Sequence, residues 1–253
     1  MTRWTVSFKV QTWSSRFNDV EAQRIAWPRR WPDEVEDGLQ PQQFIESDAE
    51  IFRKAIESQG GIQALRTVSP LIAAKQVLAY CLNNIRVSRN GLLQVDGGVL
   101  RGMDLQGAKR TAEAGIGTPN DLVCVCVAML RAAGIPARPV VGVIEDENGR
   151  DFFKSWAEFY LPDAGWVPFD PNAMQGKGAG RMDPTRPWPE LGTMDRLKKH
   201  IPISFTFHPP LDVEAPNGPA IWGWKPRPGK YEYYNQAVEI GIASLGSGIE
   251  DPK

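Results

Sequence analysis

The sequence predicts an α+β fold in which one buried helix packs against an antiparallel sheet. Two observations carry this. Residues 119–133 form a run that is apolar on most sides: Leu122, Val123, Cys126, Ala128, Met129 and Leu130 leave almost no polar face. Three strand-like segments then follow without an intervening helix. They are Val140–Val143, Phe152–Leu161 and Trp166–Phe169, separated by the turn signals Asn148-Gly149 and Pro162–Gly165.

The other elements follow in chain order. In residues 1–45, Trp4, Val6, Phe8 and Val10 alternate with polar residues, so a strand with one buried face is expected in a β-rich N-terminal segment. Trp27-Pro28 and Trp31-Pro32 interrupt regular structure. Ser47-Asp48-Ala49-Glu50 reads as a capping box before an amphipathic helix through Ile51, Phe52, Ala55 and Ile56. Ser69-Pro70 starts a second helix, with proline at its first position. Asn90-Gly91 and Gly97-Gly98 mark a hairpin or irregular loop, and a short helix is expected at 105–114. Pro119 suits the first turn of the buried helix and Gly134 its C-terminal cap. Eleven of the 21 prolines lie beyond residue 173, so that part reads as a wrapping extension with few regular elements. The expected organisation is therefore an N-terminal segment (1–45), a core (46–173) and a Pro/Trp-rich extension (174–253).

Composition narrows the function. Lys+Arg 29 against Asp+Glu 30 argues against binding nucleic acid through general electrostatics, although Arg24, Arg29, Arg30, Arg196, Lys198 and Lys199 offer a local patch. No apolar run is long enough to span a membrane, and MTRWTVSFKV lacks the apolar region of a secretory signal. The 3 cysteines form no C-x-x-C pair, so free thiols and a cytoplasmic location are expected. No glycine-rich phosphate loop and no metal-ligand cluster occurs, so no cofactor is expected. Only 2 histidines exist, His200 and His208.

The runs GIGTPNDLVCVCVAMLRAAGIPAR (115–138) and WAEFYLPDAGWVPFDPN (156–172) resemble the core of the transglutaminase-like superfamily. The resemblance is close over about residues 105–172, weaker over 46–104, and does not extend into the last third. It implies a papain-like core. In that family a cysteine nucleophile opens the buried helix, a histidine precedes the Trp-x-Glu motif, and an aspartate lies in the GWxxFDP motif. A thiol at a helix N-terminus is acidified by the unpaired N–H groups, the histidine takes its proton, and the aspartate orients the histidine.

Carried over without gaps, the nucleophile position falls on Pro119, the histidine position on Lys154, and the aspartate position on Asp170. Proline supplies no nucleophile. Cys124 and Cys126 lie roughly 7 and 10 Å deeper along the helix axis and read as core residues, as does Cys81. Lys154 has two readings: an ion pair with Asp170, or a desolvated base or Schiff-base amine. Asp121 is a helix-start carboxylate or a cleft acid. Trp156, Pro119 and Asn120 are candidate ligand-binding residues of the cleft. Arg138 is expected to pair with Glu158. The tryptophans at 27, 31, 188, 222 and 224 read as packing anchors, of which one or two could line a pocket. His200 and His208 read as surface or hydrogen-bonding residues, though the extension is long enough to fold back over the cleft.

The resulting expectation is a catalytically degenerate protein that binds a peptide or small ligand in the former active-site cleft. The alternative is a repurposed enzyme in which Lys154, Asp170 and Asp121 run acid–base chemistry, such as a cyclisation or elimination. A nucleic-acid-associated module is a third possibility, opposed by the charge balance.

Overall fold

In the computed structural model the described residues are 8–88, 92–94, 100–145, 151–207, 220–224 and 236–239. The chain begins with α1 (Asp19–Ala22), a 3-10 turn (Asp33–Leu39), α2 (Glu50–Ser58), α3 (Gly61–Leu65) and α4 (Pro70–Asn84). β1 (Arg86–Val87), β2 (Leu92–Gln94), β3 (Leu100–Met103), α5 (Ala108–Ala114) and β4 (Ile116–Gly117) lead into α6 (Pro119–Ala132). Then come β5 (Ala137–Glu145), β6 (Asp151–Leu161), β7 (Gly165–Phe169), α7 (Pro171–Gly176), β8 (His200–Ser204), β9 (Ala220–Trp224) and β10 (Gln236–Glu239).

The architecture is α+β. The main sheet has the order β7-β6-β5-β8 and its pairs are antiparallel. α6 lies at the centre of the core: Leu122 through Leu130 are all buried, and they join one apolar cluster with Leu71, Val77 and Leu78 of α4 and Val141, Ala157, Phe159 and Phe169 of the sheet. The helix ends as its sequence implies. Gly134 adopts φ 77°, which an L side chain disfavours, and Ile135 N–H returns to Leu130 O at 2.9 Å. α4 starts at Pro70, with Ser69 Oγ accepting from Ile72 N at 3.4 Å. β2 and β3 pair antiparallel, while the turns at Asn90-Gly91, Gly97-Gly98 and Asn148-Gly149 lie outside the described residues.

Three expectations are corrected. Residues 8–45 contain no strand. Phe8 and Val10 are 83% and 54% exposed, so their alternation serves no buried face, and Trp4 and Val6 lie outside the described residues. The Ser47 capping box does not form, because the chain turns at Ser47–Asp48 and the N-cap position falls on Ala49, which has no capping side chain. The extension, expected to be irregular, supplies a sheet strand: β8 pairs with β5, Ile144 opposite His200, through a register shift at Val141/Gly142. Gly142 permits this approach. A Cβ there would stand 2.5 Å from Ile201 O and 2.6 Å from the Trp156 ring.

Tryptophans tie irregular segments to the core as expected. Trp27 Nε1 donates to Val68 O at 2.8 Å, Trp31 Nε1 to Gly134 O at 3.0 Å, and Trp188 Nε1 to Asp183 O at 3.0 Å. Trp222 and Trp224 fall in β9. No helix among the described residues is long and apolar enough to cross a membrane.

Candidate functional site

The N-terminus of α6 is a closed cap. Thr118 is extended (φ −85°, ψ 170°), and its Oγ1 accepts from Asp121 N at 3.2 Å. Asp121 Oδ2 accepts from Thr118 N at 2.9 Å, completing a capping box. Asp121 Oδ1 accepts from Gln106 N at 2.8 Å and Gly107 N at 3.1 Å. The carboxylate is fully buried and holds the 106–107 loop to the helix start. Of its two expected roles the geometry therefore supplies the helix-start one, because the oxygens a cleft acid would need are engaged. Pro119 follows at the first helical position, where a missing N–H costs nothing. It is half-buried.

Lys154 on β6 faces Asp170 at the end of β7, with Nζ 2.5 Å from Oδ2. This is the expected ion pair. Asp170 Oδ1 accepts from Asn172 N and Ala173 N, both at 3.1 Å, and so caps α7. The Asp170 side chain is 2% exposed and that of Lys154 29%. Lys154 is thus the open member of the pair. Asp170→Ala should lower stability by about 2 kcal/mol, from the lost cap and the lost pair. The cost stays below that of a fully buried pair, since Lys154 can turn to solvent. Urea unfolding measures it, and a loss above ~4 kcal/mol would mean Lys154 cannot leave its site.

Two residues singled out by no chemical motif complete the geometry. Asn172 Nδ2 donates to Pro119 O at 3.0 Å, linking α7 to the start of α6. Ser155 Oγ donates to Asn120 Oδ1 at 2.7 Å, linking β6 to the same helix end. Asn120 is buried by this contact. Their only signal in the sequence was position, next to the Asp170 and Lys154 motifs.

Trp156 is also less open than a ligand-binding residue would be. It is 2% exposed and packs edge-on against His200, ring centroids 5.2 Å apart. His200 does come back to this region, on β8, and is buried rather than on the surface. Its Nδ1–H donates to Arg196 O at 2.7 Å. Burial, and next the positive charge of Lys154, hold its imidazole below the usual histidine range, against a smaller opposing pull from Asp170 and Glu190. His208 lies outside the described residues. Arg138 pairs with Glu158 at 2.7 Å as expected, and its guanidinium is stacked between Trp166 and Phe205 at 4.0 and 3.8 Å.

The three cysteines are buried. Burial raises the Cys124 thiol well above its usual value, helped by the Asp121 and Glu46 carboxylates. Burial raises Cys126 likewise, with a hydrogen bond to the Cys81 thiol adding to it. Neither is a nucleophile at neutral pH, because the reactive species is the thiolate. A cavity of about 270 Å³ lies between α2, α4, α5 and α6, lined by Phe52, Cys81, Val125 and Met129. It does not include Pro119, Lys154 or Asp170. Among the described residues no group of three His, Cys, Asp or Glu could hold a metal.

The family model of the transglutaminase-like superfamily matches residues 63–171, a span running from α3 to the first residue of α7. No curated protein matches the chain. Among solved structures, a "Putative Cysteine Protease from Cytophaga hutchinsonii" is similar at 17% identity and a TM-score of 0.44. The similarity covers 72% of this chain and 56% of that one, so this chain spans little more than half of that structure's length. Over residues 63–171, the chain is similar to the transglutaminase-like superfamily.

Proposed function

We propose that this protein is a catalytically degenerate member of that superfamily. In this reading the old cleft binds a peptide or small ligand and performs no thiol acyl transfer. The observation that carries it is the Lys154–Asp170 ion pair at 2.5 Å. It stands where the resemblance places a histidine–aspartate pair, beside a helix that opens with Pro119 instead of cysteine. A lysine ion-paired to a carboxylate stands in place of the imidazole that would activate a thiol. The exposed part of Lys154 and the half-buried Pro119 are the parts of the cleft a ligand would meet first. Asn120 and Trp156 stand behind them.

The expected result is neither amine incorporation nor amide hydrolysis in thiol-dependent assays, with or without an alkylating agent. Activity that alkylation abolishes, and that Cys124→Ala or Cys126→Ala removes, overturns the reading. An NMR peptide and fragment screen checks the binding half. Shifts gathered around Lys154 and Pro119 support it, and hits confined elsewhere remove it.

The exposure of Lys154 favours a second reading, a repurposed acid–base enzyme for a cyclisation or elimination. Lys154 and Asp170 would carry it. Asp121, engaged in the helix cap, would not. Turnover insensitive to alkylation but lost in Lys154→Met distinguishes this reading from the first.

A further inference from the structure

Buried polar side-chain atoms without a partner cost free energy, so their distribution is informative. Among the described residues they are Trp156 Nε1, Asn172 Oδ1 and His200 Nε2. All three belong to residues around the Lys154–Asp170 pair. Two of them lie at one contact, where β8 lays His200 against Trp156.

The segment carrying His200 is fastened firmly before β8: Ser15 and Met194 exchange two backbone hydrogen bonds, Ser15 Oγ donates to Gly192 O at 2.6 Å, Phe17 N donates to Thr193 Oγ1 at 3.1 Å, and Lys177 pairs with Glu190. Asp170 N donates to Glu190 O at 3.0 Å, and Gly192 N donates to Pro168 O at 2.8 Å. Glu190 sits at φ 58°, an unfavourable value for a residue with a side chain. β8 itself is a five-residue edge strand containing Pro202, joined to β5 across a register shift. The His200 ring is the buried polar group of this strand.

We propose that β8 (His200–Ser204) is an acid-released cover over the old cleft, with His200 as its latch. The tautomer decides the chemistry. Because a carbonyl can only accept, the contact with Arg196 O places the proton of the neutral ring on Nδ1. Nε2 is then a bare lone pair. Protonating it creates a buried donor with nothing to accept it. The charges around the ring are Lys154 from β6, Asp170 from the end of β7 and Glu190 from the segment before β8. The adjoining 3-10 turn (Asp195–Lys199) carries Asp195, Arg196, Lys198 and Lys199, whose residues are exposed. Burial and the Lys154 charge outweigh the two carboxylates, so the closed cover holds His200 neutral.

The direction with pH follows. The released ring binds its proton near pH 6.5 and the covered ring only below that. The released state therefore holds more protons as pH falls through this range, and closure weakens. Once charged, the imidazolium leaves for water and draws β8 with it, uncovering Trp156. This inference gives the cleft of the proposed function a regulated entrance, and so rests on that reading for its purpose.

The test is amide hydrogen exchange at pH 7.5 and pH 5.0 on the full chain, corrected for intrinsic rates. Protection of residues 200–204 should fall several-fold at the lower pH, while that of α6 stays unchanged. In His200→Phe, which keeps an aromatic ring against Trp156 and removes the titrating nitrogen, the difference between the two pH values should vanish. Unchanged β8 protection in the wild type overturns the proposal, as does a persistent drop in His200→Phe. Should that variant not fold, side-chain NMR of His200 on a His208→Gln background decides. A midpoint below the ordinary value supports the latch, and one at or above it overturns it. No ligand or turnover enters these measurements, so their failure leaves the loss of thiol chemistry standing, and thiol-dependent activity would leave the latch standing.

Discussion

Asp19→Ala should destabilise the protein by about 3–5 kcal/mol, the cost of leaving a buried charge without its partner. Lys75, in the middle of α4, is fully buried, and its Nζ lies 2.6 Å from Asp19 Oδ2. The same ammonium donates to Arg186 O at 2.8 Å and lies 5.9 Å from the centre of the Trp188 ring. One cation thus holds together the N-terminal helix α1, the core helix α4 and the extension. Burial lowers its pKa, and the contact with Asp19 works against that. Removing Asp19 leaves a buried ammonium with the Arg186 carbonyl and only the weaker pull of the Asp183 carboxylate. Urea unfolding read by circular dichroism gives the loss. The double variant Asp19→Leu/Lys75→Met should recover most of it, since an apolar replacement removes both desolvation costs. A loss below 1 kcal/mol in Asp19→Ala would show that Lys75 reaches solvent after all.

Pro119→Cys combined with Lys154→His should produce a thiol that titrates well below the free value of ~8.5. The backbone for it is present. Residue 119 is the first residue of a 14-residue helix, with its capping threonine and the helix N–H groups behind it. Residue 154 already points at Asp170. The readout is the pH dependence of alkylation on a background lacking Cys81, Cys124 and Cys126. A shift of one pKa unit is worth about tenfold in thiolate at neutral pH. Acyl transfer should still be weak, because a rebuilt triad also needs an oxyanion site and an open cleft. A thiol titrating at or above the free value would place the nucleophile position elsewhere than residue 119.

The legibility of the site divides along a physical line. Pro119, Lys154 and Asp170 were placed by the resemblance of residues 115–138 and 156–172 to the superfamily's motifs, which carry over without gaps because the buried helix and the strands after it are consecutive in the chain. The Lys154–Asp170 contact followed from adjacent strands and opposite charges. Asp121 remained open between two roles, since its partners Gln106 and Gly107 lie in a loop whose course the pattern does not specify.

By itself, then, the sequence determined the α+β order and the α6 helix with its proline start and glycine stop. These rest on apolar periodicity and on residues with one conformational meaning. Only the tertiary structure decided what long-range pairing controls. The alternating residues near the N-terminus do not form the expected strand at Phe8 and Val10, because alternation marks a strand only where a sheet receives it. The proline-rich extension does supply one, since the edge of β5 accepts β8 beside Gly142. Lys75, a charged residue in an apolar helix, is buried because Asp19, 56 positions away, meets it there. His200 packs on Trp156 by the same kind of contact, between segments that local sequence does not relate.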